Sequence, residues 1–394
     1  MIKIFIPVIL LALFQLCGFF LYTGFNLQVK IDTQLIIFGY YLIFIFTLIS
    51  CSFIFEKNEK ISKYECNFLI KIMFLIFSTF LILIPAIKIF IMGQVIGYDV
   101  MRVEFYSNPA IINKAFGSGM IFSISNYYLI PCLWFFLFFL TGDTGKWSAF
   151  TFYFILIVLI LYNTSYGGRF NVYFSLIVLY LRNIMMGNGL YLFLKKNILL
   201  LFVLLSSSFI VFFNRNTEGA SSNEHGLMSL LEYHLLPPYI LAEKMDSNLI
   251  IMGNPEMFPF KDFYYVFFAP FKYILGLPVT DIPSFRYQIL FNDFTLTSNV
   301  TGLYYNAYST LFPYFYEQYG LLSFFMIFVY FFIFFSLSFL IGNHDVRVKY
   351  LAFFSFSLYI SLFQSLIFSP GFLSVLIFVP LYYCFKDRLG RSKF

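Results

Sequence analysis

The 394-residue sequence predicts an all-α polytopic membrane protein, with about ten transmembrane helices (range ten to twelve) and one large exterior loop before the last three. Three observations carry that expectation. Charged residues make up 11% of the chain, against about 25% in soluble domains, which excludes a soluble fold. The 61% that is hydrophobic falls in long blocks, and about 20 apolar residues suffice to cross a bilayer. The blocks are rich in Phe, Ile and Leu throughout, without the alternation of a membrane barrel. Residues 1–394 read as a single integral membrane domain.

The apolar runs follow in order. The run over about 4–22 sits in MIKIFIPVILLALFQLCGFFLY and superficially resembles a signal peptide, but it lacks a small-residue cleavage site and many spans follow. It reads as the first transmembrane helix. Runs near 34–55 and 69–92 flank a lysine-rich segment. Residues 93–120, containing GYDVMRVEFYSNPAIINKAFGSG, form the first substantial exterior loop. A run near 121–140 is followed by two short ones, 149–162 and 170–186, separated by YNTSYGGRF (Tyr162–Phe170). A seventh run covers about 197–213. The stretch 214–320 is the largest polar segment and reads as the large exterior loop. Within it Asp262–Pro278 is apolar but broken by Pro270, Lys272 and Gly276, which predicts an interfacial or re-entrant piece with aromatics at headgroup depth. Runs near 321–341, 350–367 and 371–385 complete the chain.

Orientation follows from basic residues in the short loops. With the N-terminus inside, 15 of the 25 Lys and Arg fall in six short cytoplasmic segments, including Lys57, Lys60, Lys63, Lys71, Lys146, Lys195, Lys196, Arg347 and Lys349. The exterior stretches hold 13 of the 19 acidic residues. Both termini are then cytoplasmic, and YGGRF is exterior. No internal repeat is evident, which disfavours a secondary transporter.

Soluble-enzyme signatures are missing: there is no GxxxxGK[ST], no HExxH and no GxGxxG after a strand. The five cysteines show no CxxC, and the exterior histidines His225 and His234 lack clustered partners, so neither a metal nor another cofactor is expected. No nucleic-acid partner is expected either. The exterior arginines Arg102, Arg169, Arg215 and Arg286 carry more information. A guanidinium stays charged and offers a rigid fork of donors to phosphate oxygens. Single interfacial arginines also simply snorkel to headgroups, as Arg182 would on the other side. Several on the side that membrane proteins deplete of positive charge point instead to an anion. Gly167 and Gly168 admit backbone N–H groups close to that anion, or form a plain tight turn.

A second constellation, NVTGLYYNAYSTLFPYFYEQYGLL (Asn299–Leu322), holds Asn306, Tyr308, Thr310 and Glu317. An aromatic belt explains its tyrosines but not Glu317, a general-base candidate if its pKa is raised at the membrane edge. In EYHLLPPYILAEKM (Glu232–Met245), Glu232 and His234 are further base candidates or solvated loop residues, and Tyr239 is a substrate-binding candidate.

Together these features resemble the Wzy-type O-antigen or oligosaccharide repeat-unit polymerases. The resemblance covers the layout of the whole chain. Locally it rests on YGGRF between two helices, NRNTEG after the seventh span, and NAYST…YEQYGLL before the eighth. Ser309-Thr310 stands where that pattern usually offers Thr. The resemblance implies a metal-independent glycosyltransferase of the bacterial cytoplasmic (inner) membrane, its active site facing the periplasm. It would polymerise undecaprenyl-pyrophosphate-linked oligosaccharide units into O-antigen or capsule, with the bilayer and a chain-length regulator protein as partners. An O-antigen ligase-like transferase and a polysaccharide flippase are the alternatives.

Overall fold

In the computed structural model the described residues are 2–54, 61–97, 100–101, 105, 108–166, 168, 170–189, 193–195, 197–198, 202, 226–254, 261–275, 296–302, 304–305, 310–363 and 366–391. Nearly all of them are helical. In chain order the helices are α1 (Ile2–Leu21), α2 (Ile31–Ile54), α3 (Phe68–Ile96), α4 (Pro109–Phe116), α5 (Gly119–Phe139), α6 (Ser148–Ser165), α7 (Phe170–Met185), α8 (Gly226–Asp246), α9 (Lys261–Ile274), α10 (Phe312–Tyr319), α11 (Ser323–Ser338), α12 (His344–Ser361) and α13 (Pro370–Arg391). A short antiparallel pair, β1 (Leu296–Thr297) and β2 (Tyr304–Tyr305), pairs Leu296 with Tyr305 and Thr297 with Tyr304.

Among the described residues six helical stretches are long and apolar enough to cross a membrane: Ile2–Leu21, Ile31–Phe53, Phe68–Ile96, Gly119–Phe139, Ser148–Ser165 and Phe312–Ser338. Shorter apolar helices cover Phe170–Met185 and Pro370–Lys386. This matches a polytopic helical membrane protein. The seventh predicted run, 197–213, lies almost wholly outside the described residues.

Two long helices widen internally. α3 passes through a π-turn at Thr79–Leu83 just before Pro85, and α5 through another at Ser125–Leu129 just before Pro131. A proline has no N–H to return to the preceding turn, and the wider turn accommodates its ring. At the second of these, Gly371 of α13 packs directly on the Tyr127 carbonyl oxygen, where any Cβ would overlap the oxygen. The obstacle is backbone, so Gly371→Ala should lower stability by about 1–3 kcal/mol. Gly119→Ala, which meets open space, should not. Thermal unfolding of both variants in detergent checks this.

The lysine-rich segments gather at one end of the bundle. Tyr64 N–H donates to Gly142 O at 3.1 Å, Thr144 N–H to Tyr64 O at 2.8 Å, and Ile61 N–H to Met185 O at 2.9 Å. Lys71 and Asp143 form a buried ion pair at 2.6 Å, and Asp143 Oδ1 also accepts the Cys66 and Gly145 N–H groups. Lys349 donates to Phe139 O at 3.1 Å, with its ammonium 3.7 Å from the Tyr64 ring centre. The Arg182 guanidinium packs on Phe152 of α6, 3.9 Å from the ring centre.

The predicted large loop differs from expectation in one respect. Its part from 226 to 246 is a 21-residue helix, α8, that runs through Pro237 and Pro238. The chain near 262–278 is also helical: α9 continues past Pro270 to Ile274, with Phe263 packed on Tyr330 and Phe334 of α11. Tyr264, Phe267, Phe268 and Phe271 on α9 are exposed.

Candidate functional site

The other end of the bundle collects the candidate segments. Its floor is α8, laid across the end of α1. Tyr239 directs its hydroxyl at the carbonyls of Gly18 (3.0 Å), Phe19 (3.2 Å) and Tyr22. Burial pushes its phenol well above the ordinary tyrosine range, so it acts as a hydroxyl donor and not as a base. Further along, Asp246 accepts the Lys30 N–H (2.9 Å) and the Thr33 hydroxyl at the start of α2. The strand pair joins the same end, since Asn299 N–H donates to Gly24 O at 2.7 Å and Phe25 bridges to Ser298.

Pro238 leaves the His234 carbonyl without its usual helical donor. Gln15, in the middle of α1, supplies one: its Nε2 donates to His234 O and to Leu362 O, both at 3.2 Å, while its Oε1 accepts the Tyr41 hydroxyl at 2.8 Å. One buried amide therefore ties α1, α2, α8 and the end of α12 together, as polar side chains do between membrane helices. The His234 ring is half-buried between Tyr173 and Phe363, with centroids 5.3 and 5.2 Å away and both rings near perpendicular.

Tyr173 and Phe170 open α7, directly after the YGGRF turn. Phe170 meets Tyr233 at 5.7 Å and Phe363 at 5.7 Å. The turn is held from within by Asn163. Its Nδ2 donates to the Tyr166 hydroxyl (2.7 Å), its Oδ1 accepts the Asn171 N–H (3.2 Å), and its carbonyl accepts the Gly168 N–H (2.8 Å). Gly168 has to be glycine here because a Cβ would strike the Asn163 side chain. Phe105, from the MRVEF segment, stacks on Tyr166 at 4.7 Å with 7° between the rings. Phe105 is thus packed against the residue that enters the turn.

Glu232 is fully buried, a departure from its reading as a solvated loop residue. It accepts the hydroxyls of Tyr22, Ser298 and Thr301, the last at 2.8 Å. Its oxygens fasten the end of α1 to the turn after β1. Glu317 is also fully buried, on α10. Its Oε1 lies 3.4 Å from the Ile251 nitrogen and from Asn254 Nδ2, and Gly253 N–H donates to the neighbouring Tyr316 carbonyl at 3.1 Å. Glu317 therefore faces the loop that follows α8, whereas Glu232 and His234 lie in that helix's first half. Thr310 is buried, and its hydroxyl accepts the Phe312 N–H at 3.3 Å where α10 begins.

The structure thus brings His234, Tyr239, Glu232 and Gly168 to one end of the bundle, with Glu317 on the neighbouring α10 and Thr310 just before it. Arg102, Arg169, Arg215, Arg286, Gly167, Asn306 and Tyr308 lie outside the described residues. Among the described residues no three His, Cys, Asp or Glu side chains come together as a metal-holding group.

Sequence reasoning missed Tyr22, Ser298 and Thr301 around Glu232, Asn163 in the turn, and Gln15. For Gln15 a signal existed, because an amide inside the first apolar run needs a partner there. Compared with protein-family models, curated proteins and solved structures, the chain matches none.

Proposed function

We propose that this chain polymerises undecaprenyl-pyrophosphate-linked oligosaccharide repeat units into a surface polysaccharide, by glycosyl transfer at the exterior face of the bacterial cytoplasmic membrane. One observation carries the reading. The Phe105–Tyr166 stack and the Tyr173–His234 contact link Phe105, the residues flanking the YGGRF turn and α8 at the end of the bundle away from the lysine-rich loops.

The chemistry suits such a gathering. A hydroxyl of the incoming unit's sugar attacks the anomeric carbon of the growing chain. The new glycosidic C–O bond forms as the anomeric carbon–oxygen bond to phosphate breaks. Undecaprenyl pyrophosphate leaves with the bonding electrons, and the hydroxyl proton passes to a base. Negative charge grows on the pyrophosphate, and fixed guanidinium groups stabilise it most when water is excluded. Arg102, Arg169 and Arg215 are the proposed ligands, with Arg286 on the exterior loop. Glu317 and His234 stand ahead of Glu232 as base, since Glu232's oxygens are already engaged by three hydroxyls.

The test is deletion of the gene and complementation with Arg169→Ala, followed by electrophoresis of the surface polysaccharide. The wild-type chain should restore a ladder, and the variant should leave single repeat units, a loss of at least about 100-fold in polymer. An unchanged ladder would remove Arg169 from the site. Loss of all surface saccharide on deletion would point to a flippase or ligase.

A further inference from the structure

Gln318 lies between Glu317 and Tyr319 on α10 and is 7% exposed. Among the described residues it is the buried primary amide with neither its nitrogen nor its oxygen hydrogen-bonded. Orphaned buried hydroxyls are less telling, since a serine or threonine on a helix can rotate toward the carbonyl a turn before it. A glutamine amide presents two donors and an acceptor oxygen with two lone pairs, and burying all of them unpaired is costly. Such a group calls for an explanation, and a bound ligand is one.

Its location names the ligand's neighbourhood. Gln318 is four residues after Tyr314 and three after Phe315, and so shares their face of α10. Tyr314 stacks on Phe368 at 3.9 Å, and Phe315 meets the same ring at 5.5 Å. Phe368 belongs to the turn between α12 and α13. Phe363, at the other side of that turn, is the ring that contacts His234. The face of α10 that carries Gln318 and the His234 ring therefore meet the same short turn, at Phe368 and at Phe363. From this juxtaposition we infer that Gln318 is a saccharide-contacting residue, its amide pairing with a sugar hydroxyl or an N-acetyl group of the bound repeat unit. The inference rests on the polymerase reading above and extends it to a residue that fixes sugar preference. A primary amide suits this task because sugar hydroxyls and acetamido groups both donate and accept, whereas phosphate only accepts at neutral pH.

The energetics supply the test. A residue kept for a ligand at the expense of the empty protein should, when made apolar, raise stability and lose function. Full-length wild type, Gln318→Leu and Gln318→Met are purified in detergent. They are assayed with undecaprenyl-pyrophosphate-linked repeat units extracted from cells lacking this gene, and separately with inorganic pyrophosphate. Both variants should unfold at a higher temperature than wild type when empty. Their KM for repeat units should rise about tenfold. The thermal shift with pyrophosphate should equal that of wild type.

Raised stability with an unchanged KM would overturn the inference and leave Gln318 a packing residue. Stability and activity falling together would overturn it as well. Loss of the pyrophosphate response would overturn the assignment to sugar. If wild type neither binds nor extends the repeat units, the polymerase reading itself fails and takes this inference with it; a working wild type beside unaffected variants refutes Gln318 alone.

Discussion

Glu232→Ala should unfold at a markedly lower temperature than wild type, with a loss on the order of 3–5 kcal/mol. The carboxylate accepts three hydroxyls from residues 210, 66 and 69 positions away. Alanine would orphan the buried hydroxyls of Ser298 and Thr301 and the half-buried one of Tyr22. Glu232→Gln keeps the shape and one acceptor oxygen, and hydroxyls rotate to meet an amide. It should cost only about 1 kcal/mol and still extend the polysaccharide ladder. Thermal unfolding in detergent and the surface-polysaccharide gel read the two quantities separately. A vanished ladder at unchanged stability would make Glu232 the base after all.

Asp143→Ala should be comparably severe at the opposite end, about 3–5 kcal/mol, because it strands the Lys71 ammonium in a buried position. The wild-type pair also sets an acid limit. Burial alone would raise the Asp143 pKa, but the Lys71 ammonium and the N–H groups of Cys66 and Gly145 outweigh it and hold the carboxyl below its ordinary 3.8. Its folded pKa is thus the lower one. The stabilisation is fully present above the unfolded value and is lost as pH falls through the folded value. Wild type should therefore lose stability steeply below about pH 4, and Asp143→Asn should show a shallower slope in that window. A series of unfolding temperatures from pH 6 to pH 3 decides the matter.

How much of this was legible depends on how far apart the partners are in the chain. Periodicity and hydropathy are local, so α1, α2, α3 and α5 follow the predicted runs to within a few residues. The lysine clusters also anticipate the common end now seen at Tyr64, Gly142 and Met185, since charge bias is a property of whole loops. α8 was not legible. Glu232 and a Pro-Pro pair sit in a stretch that reads as an exterior loop, and the hydroxyls that help make the buried carboxylate tolerable, those of Tyr22, Ser298 and Thr301, are all remote in the chain. The Phe105–Tyr166 stack likewise joins residues with no pattern linking them. In the candidate site the residue types were visible in advance, and their division between α8 and α10 was not.

Gln15 has a consequence for how the protein is made. Its amide enters the bilayer with the first helix, yet one of its acceptors, Leu362 O, lies 347 residues later and another, His234 O, 219 residues later. A polar amide in hydrocarbon is tolerated poorly without partners. Its Oε1 partner, the Tyr41 hydroxyl, is only 26 residues away and is met within the α1–α2 pair. Its Nε2 donor gains its partners only once α8 and the end of α12 have packed against α1, so the amide is satisfied in two stages, the second of them long-range.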